Sequence, residues 1–139
     1  MTSSNLRHFD LLIVDDHQAM RAALRELVQS AYPAARFLEA ADGARAMQLC
    51  LSHRPRLVLM DVALPDANGI ELTARIKAGL PQCEVIVVSQ HSERVYAERA
   101  HAAGVFAYIT KDAVHRELLP AVAQALAPGA QPDTLESHP

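Results

Sequence analysis

Hydrophobic positions along the chain alternate between short apolar runs and longer stretches of helical period. The first run, Leu11-Leu12-Ile13-Val14, is followed by apolar residues at Met20, Ala23, Leu24, Leu27, Val28 and Ala31. Spacings of three and four residues keep one face of a helix apolar, so this segment predicts a strand followed by a helix. Tyr32-Pro33 ends the helix, because proline cannot continue it and moves the residue before it out of helical angles. Arg36-Phe37-Leu38-Glu39 predicts a second, less apolar strand. Asp42-Gly43 then opens a second helix through Ala46, Met47, Leu49 and Cys50, and Pro55 closes the gap after it.

The third run, Leu57-Val58-Leu59-Met60, is wholly apolar and stops at Asp61. Pro65-Asp66-Ala67-Asn68-Gly69 is a cluster of turn formers, and Ile70, Leu72, Thr73 and Ile76 predict a third helix stopped by Gly79 and Pro81. Val85-Ile86-Val87-Val88 is the fourth strand, ending at Ser89. Gln90 to Ala103 predicts a fourth helix with a weak apolar face at Val95, Ala97 and Ala100, closed by Gly104. Val105 to Ile109 is the fifth strand, and the last helix runs from about Val114 to Leu126. Pro120 falls inside that helix, where it removes a hydrogen bond and crowds the preceding turn at a cost of about 3 kcal/mol. Regular helix is therefore expected either to begin only near Leu118 or to kink at Pro120.

Strands alternating with helices imply an α/β fold, a doubly wound five-stranded parallel sheet, because parallel neighbours need crossovers that lay helices over both faces. Continuous apolar character in the first, third and fourth strands fits burial on both sides, whereas Arg36 and Glu39 place the second at an edge. The order 2-1-3-4-5 follows, with winding reversed between the first and third strands. Residues 9–126 are expected to form one domain, with a frayed N terminus over 1–8. A linker or tail over 127–139 carries three prolines and no periodicity.

Composition changes little in this picture but closes off other classes. The 139 residues carry 13 Lys and Arg against 16 Asp and Glu, a formal charge of −3, with no basic cluster for phosphate neutralisation. Direct nucleic-acid binding by this segment is not expected. No apolar run is long enough to cross a bilayer and the N terminus lacks a signal-peptide core, so a cytoplasmic protein is expected. Cys50 and Cys83 share no metal-type spacing and are expected to be free buried thiols.

Ligands of such a sheet bind outside the carboxyl ends of the strands, where winding reverses. Asp15 and Asp16 follow the first strand, Asp61 the third, Ser89 closes the fourth, and Lys111 lies just past the fifth. Crowded carboxylates either hold a proton or bind a cation. Hard oxygen ligands favour Mg²⁺, which takes one or two carboxylates and completes its shell with water and phosphate oxygens. A carboxylate beside such an ion can act as a nucleophile toward phosphorus, with a lysine and a hydroxyl neutralising the phosphoryl oxygens.

With these motifs the chain resembles the receiver domain of bacterial two-component response regulators. The likeness covers about Phe9 to Leu126. It rests on Val-Asp-Asp-His at 14–17, Met-Asp-Val-Ala-Leu-Pro-Asp-Ala-Asn-Gly at 60–69, Ser89 closing an apolar strand, and Ala-Gly-Val-Phe-Ala-Tyr-Ile-Thr-Lys-Asp at 103–112. The fold so implied is flavodoxin-like, (βα)5, and a familiar receiver is a standard example of that strand order. The resemblance implies that Asp61 is the phosphoacceptor, served by a sensor histidine kinase. It implies that Asp16, Asp61 and the main-chain carbonyl of Ala63 ligate Mg²⁺, with Asp15 helping directly or through water. It further implies that Lys111 pairs with the phosphoryl group, and that Ser89 swings toward it while Tyr108 turns inward. The surface of the fourth helix, fifth strand and fifth helix would change in consequence, and a homodimer through that surface is an open expectation. His17, Arg21 and Lys111-Asp112 resemble the subgroup whose receivers precede a LuxR-type helix-turn-helix, so the parent is expected to be a transcriptional regulator whose DNA-binding domain is absent from this segment. The alternative is a stand-alone single-domain regulator acting by protein contacts. No enzyme activity is expected beyond its own phosphorylation and dephosphorylation.

Simpler roles exist for each residue alone. Asp15-Asp16 could cap the first helix, Asp66 and Asn68-Gly69 need nothing beyond turn chemistry, Tyr108 could fill space, and His17 and His91 could be solvated histidines. Ala63 and His91 flank the approach of water to Asp61 and are expected to influence the dephosphorylation rate. Of the competing classes, an aspartate-nucleophile phosphohydrolase would carry a second aspartate where Ala63 stands. A flavin or nucleotide binder would present a Gly/Ser/Thr-rich phosphate loop where Asp15-Asp16 stand.

Overall fold

The structure, a computed structural model, describes residues 8–130. The apolar runs form strands β1 (Asp10–Val14), β2 (Arg36–Ala40), β3 (Leu57–Met60), β4 (Glu84–Ser89) and β5 (Ala107–Thr110). The segments of helical period form α1 (Gln18–Ala31), α2 (Gly43–His53), α3 (Gly69–Gly79), α4 (Arg94–Ala103) and α5 (Val114–Leu126), the last preceded by a 3-10 turn over Lys111–Ala113. All strand pairs are parallel, in the order β2-β1-β3-β4-β5.

Side chains alternate across the sheet, so each central strand feeds two cores. Leu11, Ile13, Leu57, Leu59 and Ile86 pack against Leu24 and Val28 of α1 and Leu118 and Val122 of α5. Leu12, Val14, Val58, Met60, Val85 and Val87 pack on the other face against Ala46 and Leu49 of α2, Ile76 of α3 and Ala100 of α4. Burial on both faces is why these strands read as unbroken apolar runs. β2 is the edge strand its charges predicted, with Arg36 exposed and Glu39 half-buried. Among the described residues, no helix is long and apolar enough to cross a membrane.

Several sequence expectations need correction. α4 begins at Arg94 and not at Gln90, because the main-chain N–H of His91 is drawn to the Ser89 hydroxyl, 3.0 Å away, holding 90–93 as a loop. β5 starts at Ala107 rather than Val105. The N–H of Val105 still bonds Ala100 at the end of α4, while that of Phe106 bonds Val85. α5 runs from Val114 to Leu126 with Pro120 inside it, so it does not wait until Leu118 to begin. Pro120 and Arg116 are both exposed, which leaves the carbonyl that proline cannot serve open to water. The apolar face of α1 is narrower than its spacing predicted, since Ala23 and Ala31 are exposed. The expected frayed start over 1–8 and tail over 127–139 fall largely outside the described residues.

Candidate functional site

Backbone pairing brings the acidic residues together. Val14 lies opposite Met60 in the β1–β3 register, and the N–H of Asp61 donates to the carbonyl of Val14 at 2.9 Å. Asp15 and Asp61 therefore leave adjacent strand ends side by side, at the point where the winding reverses. The N–H of Asp15 donates to Ala40 of β2, and its carbonyl accepts from the Arg21 guanidinium at 2.7 Å. Arg21 is held in turn by Glu39 at 2.9 Å. Asp15 and Asp61 are nearly inaccessible, at 1% and 5% exposure, whereas Asp16 is exposed.

A cap role for Asp15-Asp16 does not hold. His17 is the N-cap residue of α1 and makes no side-chain cap, while Asp15 Oδ1 accepts the main-chain N–H of His17 at 2.8 Å. Lys111, carried in by the turn after β5, places Nζ 3.2 Å from Asp15 Oδ2 and 3.6 Å from Asp61 Oδ2. One ammonium thus faces two buried carboxylates. Burial, then the charge of Asp15, pushes the Asp61 carboxyl above its ordinary value, against the pull of Lys111 and of the N–H groups of Ala63 and Val62. Asp15, Asp16, His17 and Asp61 each offer a ligand atom within 4.8 Å of the others. The three carboxylates among them suit a hard divalent cation, whose charge would offset their mutual repulsion.

A raised carboxyl means that the folded chain binds this proton more readily than the unfolded chain. The destabilisation is absent below the ordinary carboxyl value, builds as pH rises from there toward the raised folded value, and is complete above it. Asp61→Asn should therefore unfold at higher urea than wild type at pH 7 without divalent ions, and the difference should shrink as pH falls toward the ordinary carboxyl range. A gain independent of pH would contradict this.

A small cleft of about 140 Å³ opens over Asp61, bordered by Asp16, Ala63, Ser89, His91 and Lys111. Ser89 ends β4 fully buried, and its hydroxyl accepts from the N–H of His91. Tyr108, half-buried on β5, donates its hydroxyl to the carbonyl of His91 at 2.6 Å. The His91 ring stacks on Tyr96 of α4 with centroids 4.2 Å apart. One residue thus ties Ser89, Tyr108 and α4 together. This linking role of His91 is not legible in its side chain, because the contacts to Ser89 and Tyr108 are made by its main chain.

Three further residues support the site beyond turn chemistry. Asn68 caps α3 by accepting from the N–H groups of Ile70 and Glu71. Gly69 packs so closely beneath Asp61 that a Cβ there would overlap the Asp61 carbonyl oxygen. Asp66 accepts from the N–H groups of Gly43 and Ala44, pinning the loop after Asp61 to the N terminus of α2, and these bonds hold its carboxyl below the ordinary range. Cys50 and Cys83 are free and buried, and burial pushes their thiols up to about 11 and about 12. A cleft of about 650 Å³ lies away from these groups, between the loops that precede β3 and β4.

The family model for the response regulator receiver domain matches residues 11–123. Among curated relatives, the transcriptional activator protein ExaE of Pseudomonas putida is 34% identical over 117 residues, covering 84% of this chain and 55% of that protein. The response regulator UvrY of Escherichia coli strain K12 is 28% identical over 113 residues, covering 81% and 52%. The chain spans about half the length of these relatives. Among solved structures, a LuxR-family two-component response regulator from Aurantimonas sp. SI85-9A1 superposes with a TM-score of 0.79 at 31% identity, covering 86% of this chain and 85% of that one.

Proposed function

The chain belongs to the response regulator receiver domain family, and from that premise we propose that Asp61 accepts a phosphoryl group from the phosphohistidine of a sensor histidine kinase. The observation that carries this is the buried Asp61 carboxylate facing Lys111 at the strand ends. An Asp61 oxygen forms the bond to phosphorus as the bond from phosphorus to the donor imidazole nitrogen breaks. That nitrogen keeps the bonding electron pair. Lys111 supplies a fixed positive charge beside the reacting oxygen, and Ser89 supplies a hydroxyl across the cleft.

Receiver domains bind Mg²⁺ at an acidic pocket, and the oxygen donors here fit it. Asp16, Asp61 and the carbonyl of Ala63 are proposed to hold the ion, with Asp15 assisting directly or through water. When bound, Mg²⁺ would neutralise charge on the carboxylates and the phosphoryl oxygens. Ser89 is proposed to turn its hydroxyl toward the phosphoryl group, releasing His91. Because Tyr108 and α4 both lean on His91, the release would alter the surface of α4, β5 and α5, a population shift with that surface as output. A homodimer through this surface is one such output. The parent is proposed to be a cytoplasmic LuxR-type transcriptional regulator, with the receiver over residues 9–126. The length and naming of the relatives support that choice over a stand-alone regulator.

Incubation with acetyl phosphate and Mg²⁺ should add the mass of one phosphoryl group to the intact chain, and chelation of the metal should prevent it. Absence of any gain with Mg²⁺ present would overturn the proposal.

A further inference from the structure

His17 is the one nitrogen donor in the four-residue cluster, and the phosphoryl chemistry above makes no use of it. Its Nδ1 lies 3.1 Å from Asp16 Oδ1 and 3.3 Å from Asp15 Oδ1. Two adjacent ligands, each about 2.1 Å from a shared ion, stand roughly 3.0 Å apart in octahedral geometry. Both are polar contacts in which Nδ1–H faces the carboxylates, a hydrogen bond in the case of Asp15; a cation at that point would displace the shared proton and leave imidazole and aspartate oxygens spaced as neighbouring ligands. The His17 side chain is 66% exposed, so the ring can pivot without disturbing the core. Being first in line at the start of α1, it is also fixed by its own main-chain bond to Asp15.

We propose that His17 sets the metal specificity of this site, ligating late transition-metal divalent ions through Nδ1 and standing aside for Mg²⁺. Imidazole nitrogen suits cobalt, nickel and zinc, whereas Mg²⁺ prefers oxygen and water and gains little from it. Once the ion has displaced that proton and the ring carries its hydrogen on Nε2, the Nδ1 lone pair faces the same point as the carboxylate oxygens. The chain would then take two classes of cation at one acidic rim, distinguished by a single side chain. This rests on the proposal that the rim holds a divalent cation.

The test is calorimetric titration of the untagged chain with Mg²⁺ and, separately, with Co²⁺, the latter followed also by visible absorption. His17→Ala should weaken Co²⁺ binding by roughly ten- to a hundredfold, the range usual when support of a metal site is lost. Its Mg²⁺ affinity should stay within about twofold of wild type. His17→Asn, which supplies a good N-cap for α1, should behave in the same way and guards against a folding effect. Asp16→Asn should weaken both metals, which places the Co²⁺ at this rim. Equal Co²⁺ affinity in wild type and His17→Ala, or a parallel loss of Mg²⁺, would overturn the assignment. Co²⁺ binding that depends on His17, in a wild type that takes no Mg²⁺, would uphold His17 and overturn the Mg²⁺ site instead.

Discussion

Gly69→Ala is expected to destabilise the chain by about 3 kcal/mol, the upper part of the usual range for overpacking. A methyl group there would overlap the main-chain oxygen of Asp61 and come within 3.0 Å of Met60 Cγ. The obstacle is backbone, which cannot step aside as a flexible side chain can. Relief requires the loop between β3 and α3 to lift, and that loop is held at both ends: Gly69 donates to Val62 at 2.7 Å, and Asp66 grips the start of α2. The same lift would move Asp61, so phosphoryl labelling should fall with stability. Gly79→Ala is the internal control, because nothing lies within 4 Å of a Cβ there. It should stabilise by up to about 1 kcal/mol through helix propensity. Urea unfolding of both variants checks the pair, and equal midpoints would contradict the account.

Lys111→Ala should cost roughly 3 kcal/mol without divalent ions, the scale of breaking a buried ion pair by removing one partner. Lys111 is the cation that meets the Asp15 and Asp61 carboxylates, and both would be left nearly inaccessible and mutually repelling. Mg²⁺ should restore more stability to this variant than to wild type, since the ion then supplies the missing positive charge and stabilises the folded state that binds it. Urea midpoints with and without Mg²⁺ measure the effect. A variant as stable as wild type, or one that ignores Mg²⁺, would remove Lys111 from the site. Labelled Lys111→Ala is further expected to keep Mg²⁺ yet fail to change partner binding.

Much of this architecture is legible in the residues. Leu11–Val14, Leu57–Met60 and Val85–Val88 are apolar throughout because both faces of their strands are covered, and the breaks at Asp15, Asp61 and Ser89 mark the rim directly. The less regular parts are hidden from the sequence for physical reasons. Residues 90–93 are polar and adjoin a weakly amphipathic helix, so no change of period separates loop from helix. What holds them is a local turn, the Ser89 hydroxyl accepting from the His91 N–H two residues on, together with a tertiary contact, the Tyr108 hydroxyl donating to the His91 carbonyl from β5. Pro120 breaks a rule of isolated helices that an exposed helical face can tolerate. Gly69 and Asp66 looked like turn residues since a turn does occur there. That one lies against the Asp61 carbonyl and the other reaches α2 depends on how β3 seats against its neighbours, which local sequence does not encode.

Whether the buried carboxylate at position 61 receives the phosphoryl group is decided by the intact masses of wild type and Asp61→Asn, treated side by side with acetyl phosphate and Mg²⁺. One phosphoryl group should be added to wild type and none to Asp61→Asn, whose folded state should be at least as stable at neutral pH. Equal labelling of the two chains would place the phosphoryl group elsewhere.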